Sequence, residues 1–108
     1  MSFTISTETP LSDDVRALVK ELNEFTFELT PAEFRHHMTV EQMAQPDLTL
    51  FVARDASGAT LGMGALKRHA NGVGEVKRMF VKPEARGLGV GGAILARIED
   101  LARQEGVT

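Results

Sequence analysis

The stretch Arg86-Gly87-Leu88-Gly89-Val90-Gly91-Gly92 decides the fold of this 108-residue chain, because a glycine-rich loop here runs into the start of a helix. Apolar residues after the loop recur at helical spacing and predict an amphipathic helix from about Gly89 to Glu105, with Gly106 as its stop. Amide groups at a helix N-terminus have no partner inside the helix and carry partial positive charge. Loop and helix together therefore predict a site that binds phosphate groups, to which Arg86 adds a cation.

The glycine spacing fits other phosphate-binding motifs less well. Gly87-x-Gly89-x-x-Gly92 matches the dinucleotide-binding fingerprint, but in that motif the first glycine directly follows the first strand of a β-α-β unit. Here residues 82–86 intervene, and the preceding strands are predicted to be antiparallel. A Walker loop needs a glycine-lysine-serine/threonine sequence, which is absent. A glycine-rich connection without a ligand is the structural alternative, although glycine at a helix start is costly in conformational entropy.

The rest of the chain predicts a mixed α+β fold. Alternating or continuous apolar runs predict strands, Asn71-Gly72 predicts a hairpin turn, and Gly62 and Gly64 weaken the prediction of the strand that contains them. The predicted elements are a strand at 3–7, a helix capped by Ser12 or Asp13, one broken helix or two short ones within 31–45, and strands at 48–53, 60–69 and 75–81. We therefore expect a single domain over residues 1–108, with an antiparallel central sheet flanked by helices.

Composition excludes several classes of function. The net charge of −3 argues against general binding of nucleic acid or anionic membranes, which requires a basic face. With no cysteine, the chain has no disulfide or thiol nucleophile, and the adjacent His36 and His37 point in different directions on a helix, so no metal site is expected. The sequence has no secretory signal and no apolar run of about 20 residues, so we expect a cytoplasmic protein.

The segment Val81-x-Pro83-x-x-Arg86-Gly87-x-Gly89-x-Gly91 resembles the acyl-coenzyme A signature of the GNAT superfamily of N-acetyltransferases. The core of that signature is Arg/Gln-x-x-Gly-x-Gly/Ala, which Arg86, Gly89 and Gly91 match. The strand before the loop and the amphipathic helix after it also match the family in kind and order. The resemblance covers the whole chain but only the first two-thirds of the family's usual domain. It therefore implies a C-terminally truncated domain that lacks the last strands and helix.

The resemblance implies that acetyl-CoA is the co-substrate. In this family the strand before the loop splays from its neighbour at a bulge, and the pantetheine arm pairs with the exposed backbone. Carried over by position, Met79, Phe80 and Val81 would offer those backbone groups, and the Val81 N–H would polarise the thioester carbonyl. The pyrophosphate would lie on the amides of the loop. The loop residues expected to bind it are Arg86, Gly87, Leu88, Gly89, Val90, Gly91 and Gly92.

The implied reaction is direct attack of a primary amine, on a small molecule or a peptide, at the thioester of acetyl-CoA. A base must take a proton from the amine, and Glu75 is the candidate. The alternative for Glu75 is a solvated strand residue paired with Lys77 or Arg68. The family's usual proton donor is a tyrosine in the C-terminal part, and this chain contains no tyrosine. A non-catalytic CoA-binding or assembly module, with strand exchange between chains in a homodimer, is therefore the alternative function.

Four cations, Lys67, Arg68, Lys77 and Arg78, lie on two strands that are predicted to pair. They form either a solvated face balanced by acidic helices or a patch that attracts an acidic substrate or the 3′-phosphate of CoA. The sequence leaves both interpretations open.

Overall fold

The computed structural model describes residues 3–29 and 40–107, with side chains described at 3–24 and 41–107. Within these residues the elements follow in the order β1 (Phe3–Thr7), α1 (Asp13–Leu29), α2 (Val40–Met43), β2 (Leu48–Asp55), β3 (Thr60–Arg68), β4 (Gly74–Val81) and α3 (Val90–Glu105). The α+β prediction is confirmed, and each predicted strand is present. Most of the helical segment expected at 31–45, including His36 and His37, lies outside the described residues.

The strands form one antiparallel sheet in the order β1-β2-β3-β4. Strand β4 is therefore at an edge, and no strand of the described residues pairs with its outer side. This position matters because the glycine loop follows β4 directly. The loop and the open side of the strand consequently lie next to each other.

Helices cover the two faces of the sheet. Apolar residues at helical spacing on α1, among them Val15, Leu18 and Leu22, are buried against one face. On α3, Val90, Ile94 and Ile98 are buried against the other face. Such one-sided burial is what an amphipathic helix contributes to a core. No described helix is long and apolar enough to cross a membrane. The sheet thus separates an α1 side from an α3 side.

A β-bulge interrupts the pairing of β3 with β4. Met63 pairs with Phe80 and Ala65 pairs with Lys77, so Gly64 alone lies opposite two residues of β4, Arg78 and Met79. A Cβ atom on Gly64 would overlap the Met79 sulfur and lie 2.8 Å from Ile94 Cγ2. The bulge places the Met79 side chain directly over Gly64 of β3. Glycine is therefore required at position 64.

Candidate functional site

The N-terminus of α3 carries no cap from its own sequence. Its N-cap residue, Gly89, has no side chain to accept a hydrogen bond, and the first helical turn contains no acidic residue. The first helical hydrogen bond runs from the Ala93 N–H to the Gly89 carbonyl over 3.1 Å. The amides of Val90, Gly91 and Gly92 precede that bond and have no acceptor inside the helix. They form a cluster of donors at the positive end of the helix dipole.

Glycine occupies the four loop positions 87, 89, 91 and 92 for different structural reasons. Gly87 and Gly89 have φ angles of 87° and 81°, in the left-handed region that favours glycine, so the backbone path alone accounts for them. A Cβ on Gly91 would lie 3.4 Å from Val81 Cγ2, which is contact distance. Gly92 has no positive φ, and a Cβ there would meet nothing within 4 Å. The fold does not require a glycine at 92, and its bare surface leaves room for a group bound at the helix end.

A short 3-10 turn at Pro83–Ala85 fixes the loop to the end of β4. The Ala85 N–H donates to the Lys82 carbonyl over 2.9 Å, and the Ala85 side chain is buried in the core on the α3 side. The Arg86 Nε donates to the Val81 carbonyl over 3.1 Å. The loop is thereby held against the last residue of the strand.

Val81 directs its backbone to the open side of β4. The Lys82 N–H donates to the Leu61 carbonyl of β3 over 2.9 Å, so the backbone N–H of Lys82 points toward β3. Backbone groups of successive residues alternate between the two sides of an antiparallel strand, so those of Val81 face outward, and so do those of Met79. The outward Val81 carbonyl accepts the Arg86 hydrogen bond, and the Val81 N–H points the same way. Phe80 instead directs its backbone to β3 and buries its side chain on the α1 side.

Glu75 lies away from the loop, at the other end of β4. It is six residues before Val81, or roughly 20 Å along an extended strand. Its carboxylate lies 2.9 Å from His69 Nε2 and 3.6 Å from Lys77 Nζ, and nearly half of its side chain is exposed. The hydrogen bond with His69, followed by the charge of Lys77, holds the pKa of Glu75 below its usual value. The structure contains the Lys77 pairing of the structural alternative and does not bring Glu75 to the glycine loop.

The bulge residue Arg78 is not distinguished from its neighbouring cations by the sequence. Its φ of +58° places a non-glycine residue in the left-handed region, at a cost of about 1–2 kcal/mol. Its side chain turns to the α1 side, where Nη2 donates to Asn23 Oδ1. The available signal was Gly64, because a glycine inside a strand marks a bulge or a close backbone approach.

Comparison with known proteins identifies the family. The Acetyltransferase (GNAT) family profile matches residues 15–108. The IAA acetyltransferase of Azospirillum brasilense is 45% identical over 106 residues, which are 97% of this chain and 69% of that protein. The matched region contains the bulge, the 3-10 turn and the glycine loop.

Solved structures share the fold. A Klebsiella pneumoniae structure assigned as an acyl-CoA N-acyltransferase is 26% identical, with a TM-score of 0.79 over 97% of this chain and 66% of its own. An aminoglycoside 6′-N-acetyltransferase complexed with coenzyme A gives a TM-score of 0.73 at 17% identity, over 95% of this chain and 57% of its own. The chain spans about two-thirds or less of the length of these structures. On its family match, its sequence relative and its fold, the chain belongs to the GNAT acetyltransferase family.

Proposed function

We propose that this chain binds acetyl-CoA at the glycine loop and the open side of β4, and transfers the acetyl group to a primary amine of a small molecule or peptide. The pyrophosphate would lie on the amides of the α3 N-terminus, beside Arg86. The pantetheine arm would pair with the outward backbone of Met79 and Val81. A cytoplasmic location and a homodimer stay predictions.

One observation carries this proposal: an uncapped helix N-terminus adjoins an outward-facing strand edge. Donors for a charged pyrophosphate and donors for an amide-bearing arm are therefore found side by side, joined by the Arg86–Val81 hydrogen bond. A structural role for the loop explains Gly87 and Gly89 but leaves Gly92 without a reason. A bound phosphate group supplies that reason.

The reaction forms a C–N bond and breaks the C–S bond of the thioester. The neutral amine attacks the carbonyl carbon, and the outward Val81 N–H would stabilise the negative charge that develops on the carbonyl oxygen. The amine loses a proton, and coenzyme A leaves as the thiolate, which takes up a proton. This chain has no tyrosine, so a water molecule or another side chain of this chain would donate that proton.

Glu75 would act as proton acceptor only through intervening water molecules. Its lowered pKa keeps it ionised at neutral pH and hence able to accept a proton, but it also makes Glu75 a weaker base. Its distance from Val81 along the strand excludes direct transfer from an amine at the thioester. The catalytic role of Glu75 therefore stays a prediction, and Glu75→Gln tests it by the loss of the acidic limb in the pH profile of kcat/KM.

Calorimetric titration with CoA and with acetyl-CoA tests the binding site. We expect Gly89→Asp to abolish detectable binding, because a carboxylate then lies where phosphate must approach and like charges cost several kcal/mol. Gly58→Asp is the matched control: Gly58 has the same left-handed backbone, with a φ of 89°, and similarly open surroundings. Equal losses in the two variants, or no binding by the unmodified protein at millimolar ligand, would refute the assigned site.

Release of the CoA thiol in the presence of an amine panel tests the reaction. IAA is assayed separately from the amines as a further acceptor, because the relative that is 45% identical is named for it. Turnover that depends on both acetyl-CoA and an amine supports the enzyme. Tight binding of CoA without turnover on any amine supports the non-catalytic module instead.

A further inference from the structure

The four cations of β3 and β4 do not form one patch. Lys67 pairs with Asp47 over 2.5 Å, and Arg68 pairs with Glu105 of α3 over 2.5 Å. Lys77 lies 3.6 Å from Glu75. Three of the four charges are thus balanced by a carboxylate, and these three fit the interpretation of a solvated, charge-balanced sheet.

Arg78 differs from the other three. Among the described side chains, no carboxylate forms an ion pair with it, and its Nη2 donates to the neutral amide oxygen of Asn23. The residue is partly buried, its Nε is buried and has no hydrogen-bond partner among the residues that the structure describes, and burial lowers the pKa of the guanidinium. A cation withdrawn from water is unfavourable unless an anion or further acceptors compensate. The arrangement leaves donor capacity on Arg78 for an anionic group.

The bulge is what places this cation. A regular strand would alternate the side chains of residues 77 and 78 between the two faces, whereas Lys77 and Arg78 both lie on the α1 side. Met79 then turns to the α3 side, where it packs over Gly64. The left-handed backbone at Arg78 is strained for a side-chain-bearing residue, so this orientation is maintained against an unfavourable local conformation.

Arg78 immediately precedes the backbone that is proposed to hold the pantetheine arm. Helix α3 covers one face of the sheet beside β4, and the bound arm would extend the sheet at its edge. The amine must therefore reach the thioester from the α1 side, which is the side of the Arg78 guanidinium. A group on the acceptor a few bonds from its amine would lie within reach of Arg78.

We propose that Arg78 binds a carboxylate on the acceptor, so that the preferred acceptors of this domain are amines that also carry a carboxylate, such as amino acids. The proposal rests on the acetyl-transfer function above. A guanidinium matches a carboxylate as two parallel hydrogen bonds. One such group balances the single charge of Arg78, whereas a phosphate dianion would require a second cation, and the adjacent Lys77 is already paired with Glu75.

Binding of product-like ligands tests the proposal without turnover. The probes are N-acetylated amino acids and their C-terminal amides, titrated calorimetrically into protein saturated with CoA. We expect at least one carboxylate probe to bind about tenfold or more tightly than its amide, because a charge-assisted hydrogen bond is lost with the carboxylate. Arg78→Gln should remove that difference, and Arg78→Lys should retain part of it.

Lys77→Gln is the matched control, since it removes the neighbouring cation on the same side of the strand. It should retain the preference for the carboxylate. CoA affinity measured on every variant reports whether the loop and fold are intact, and Arg78→Asn, which tolerates a left-handed backbone, replaces Arg78→Gln if that variant fails to fold. The inference is overturned if no probe shows the preference, or if the preference survives in Arg78→Gln. Absence of CoA binding in the unmodified protein would instead refute the proposed function.

Discussion

The two long helices of this domain begin in opposite ways. Helix α1 starts with Asp13 and Asp14 in its first turn, and the Ser12 hydroxyl donates to Asp14 over 3.0 Å. Asp14 also accepts from Arg54 Nη1 over 2.6 Å, and Arg54 forms two further hydrogen bonds with Glu8. Helix α3 starts at a glycine, without an acidic residue or a side-chain cap.

This difference separates a structural helix end at α1 from the helix end at α3 that is proposed to bind phosphate. At α1 the protein supplies its own negative charge to the positive end of the helix dipole, so the end is electrostatically complete. At α3 the corresponding positions are bare, and the negative charge would come from the ligand. Substitutions at α1 should therefore change stability and leave CoA binding unchanged, whereas charged substitutions at α3 should weaken CoA binding without lowering stability.

The largest expected effect follows from giving α3 the acidic first turn of α1. Gly92→Glu places a carboxylate at the third helical position, where its negative charge interacts favourably with the helix dipole. It also replaces glycine, a poor helix former. The free energy of unfolding should rise by about 1 kcal/mol. CoA affinity should fall by about 100-fold or more, because the carboxylate competes for the amides and repels the pyrophosphate. Thermal unfolding and calorimetry on the same sample measure both changes.

Gly92→Gln separates charge from volume in this experiment. It has the size of glutamate without the charge, so it should stabilise the helix and weaken CoA binding less than Gly92→Glu does. A rise in stability with unchanged CoA affinity in Gly92→Glu would show that phosphate does not bind at this helix end.

A smaller effect is expected from removing the ion pairs at the N-terminus of α1. Arg54→Met removes the cation shared by Glu8 and Asp14 and should lower the free energy of unfolding by about 1–2 kcal/mol, the range for hydrogen bonds to charged groups that are partly exposed. CoA affinity should stay unchanged. Arg103→Met, which removes the exposed pair with Asp100 on α3, is the control and should have little effect on stability. Urea unfolding measures both variants, and a loss of CoA affinity in Arg54→Met would contradict the separation of roles.

Much of the α3 end could be predicted from the sequence, because its determinants are local. Glycines at a helix start, a preceding proline and the apolar spacing of the helix all act within a few residues of one another. The strands were predictable for the same reason, since alternation and turn residues are local signals. Gly92 is bare in the structure, as a phosphate-binding loop requires, although the role of each loop residue stays a prediction.

The start of α1 was predictable from its capping residues, but its ion pairs and the position of the bulge were not, because they depend on contacts between distant residues. Arg54 lies 46 residues from Glu8 and 40 from Asp14, and the three side chains meet only when α1 packs beside the paired strands β1 and β2. The pairing of Glu75 with His69 likewise depends on how the hairpin closes. In the sequence Gly64 weakens the prediction of its strand, and only its position opposite Arg78 and Met79 shows that it accommodates a bulge.

The smallest effect concerns the pH dependence of the two helix ends. Hydrogen bonding by Arg54, and then by Ser12, lowers the pKa of Asp14 to about 2, below its ordinary value of 3.8. A carboxyl group whose pKa is lower in the folded state stabilises the fold above its ordinary pKa, and this contribution disappears as the pH falls through the folded value. Asp14→Asn should therefore have a lower Tm than the unmodified protein at pH 6, and the difference should shrink as the pH falls from about 4 to about 2. Helix α3 has no acidic residue in its first turn, so Gly92→Gln should shift Tm by the same amount across that range. A Tm difference for Asp14→Asn that is constant with pH would show that the α1 end is not stabilised by the ionised carboxylate, and the contrast between the two ends would then be one of shape alone.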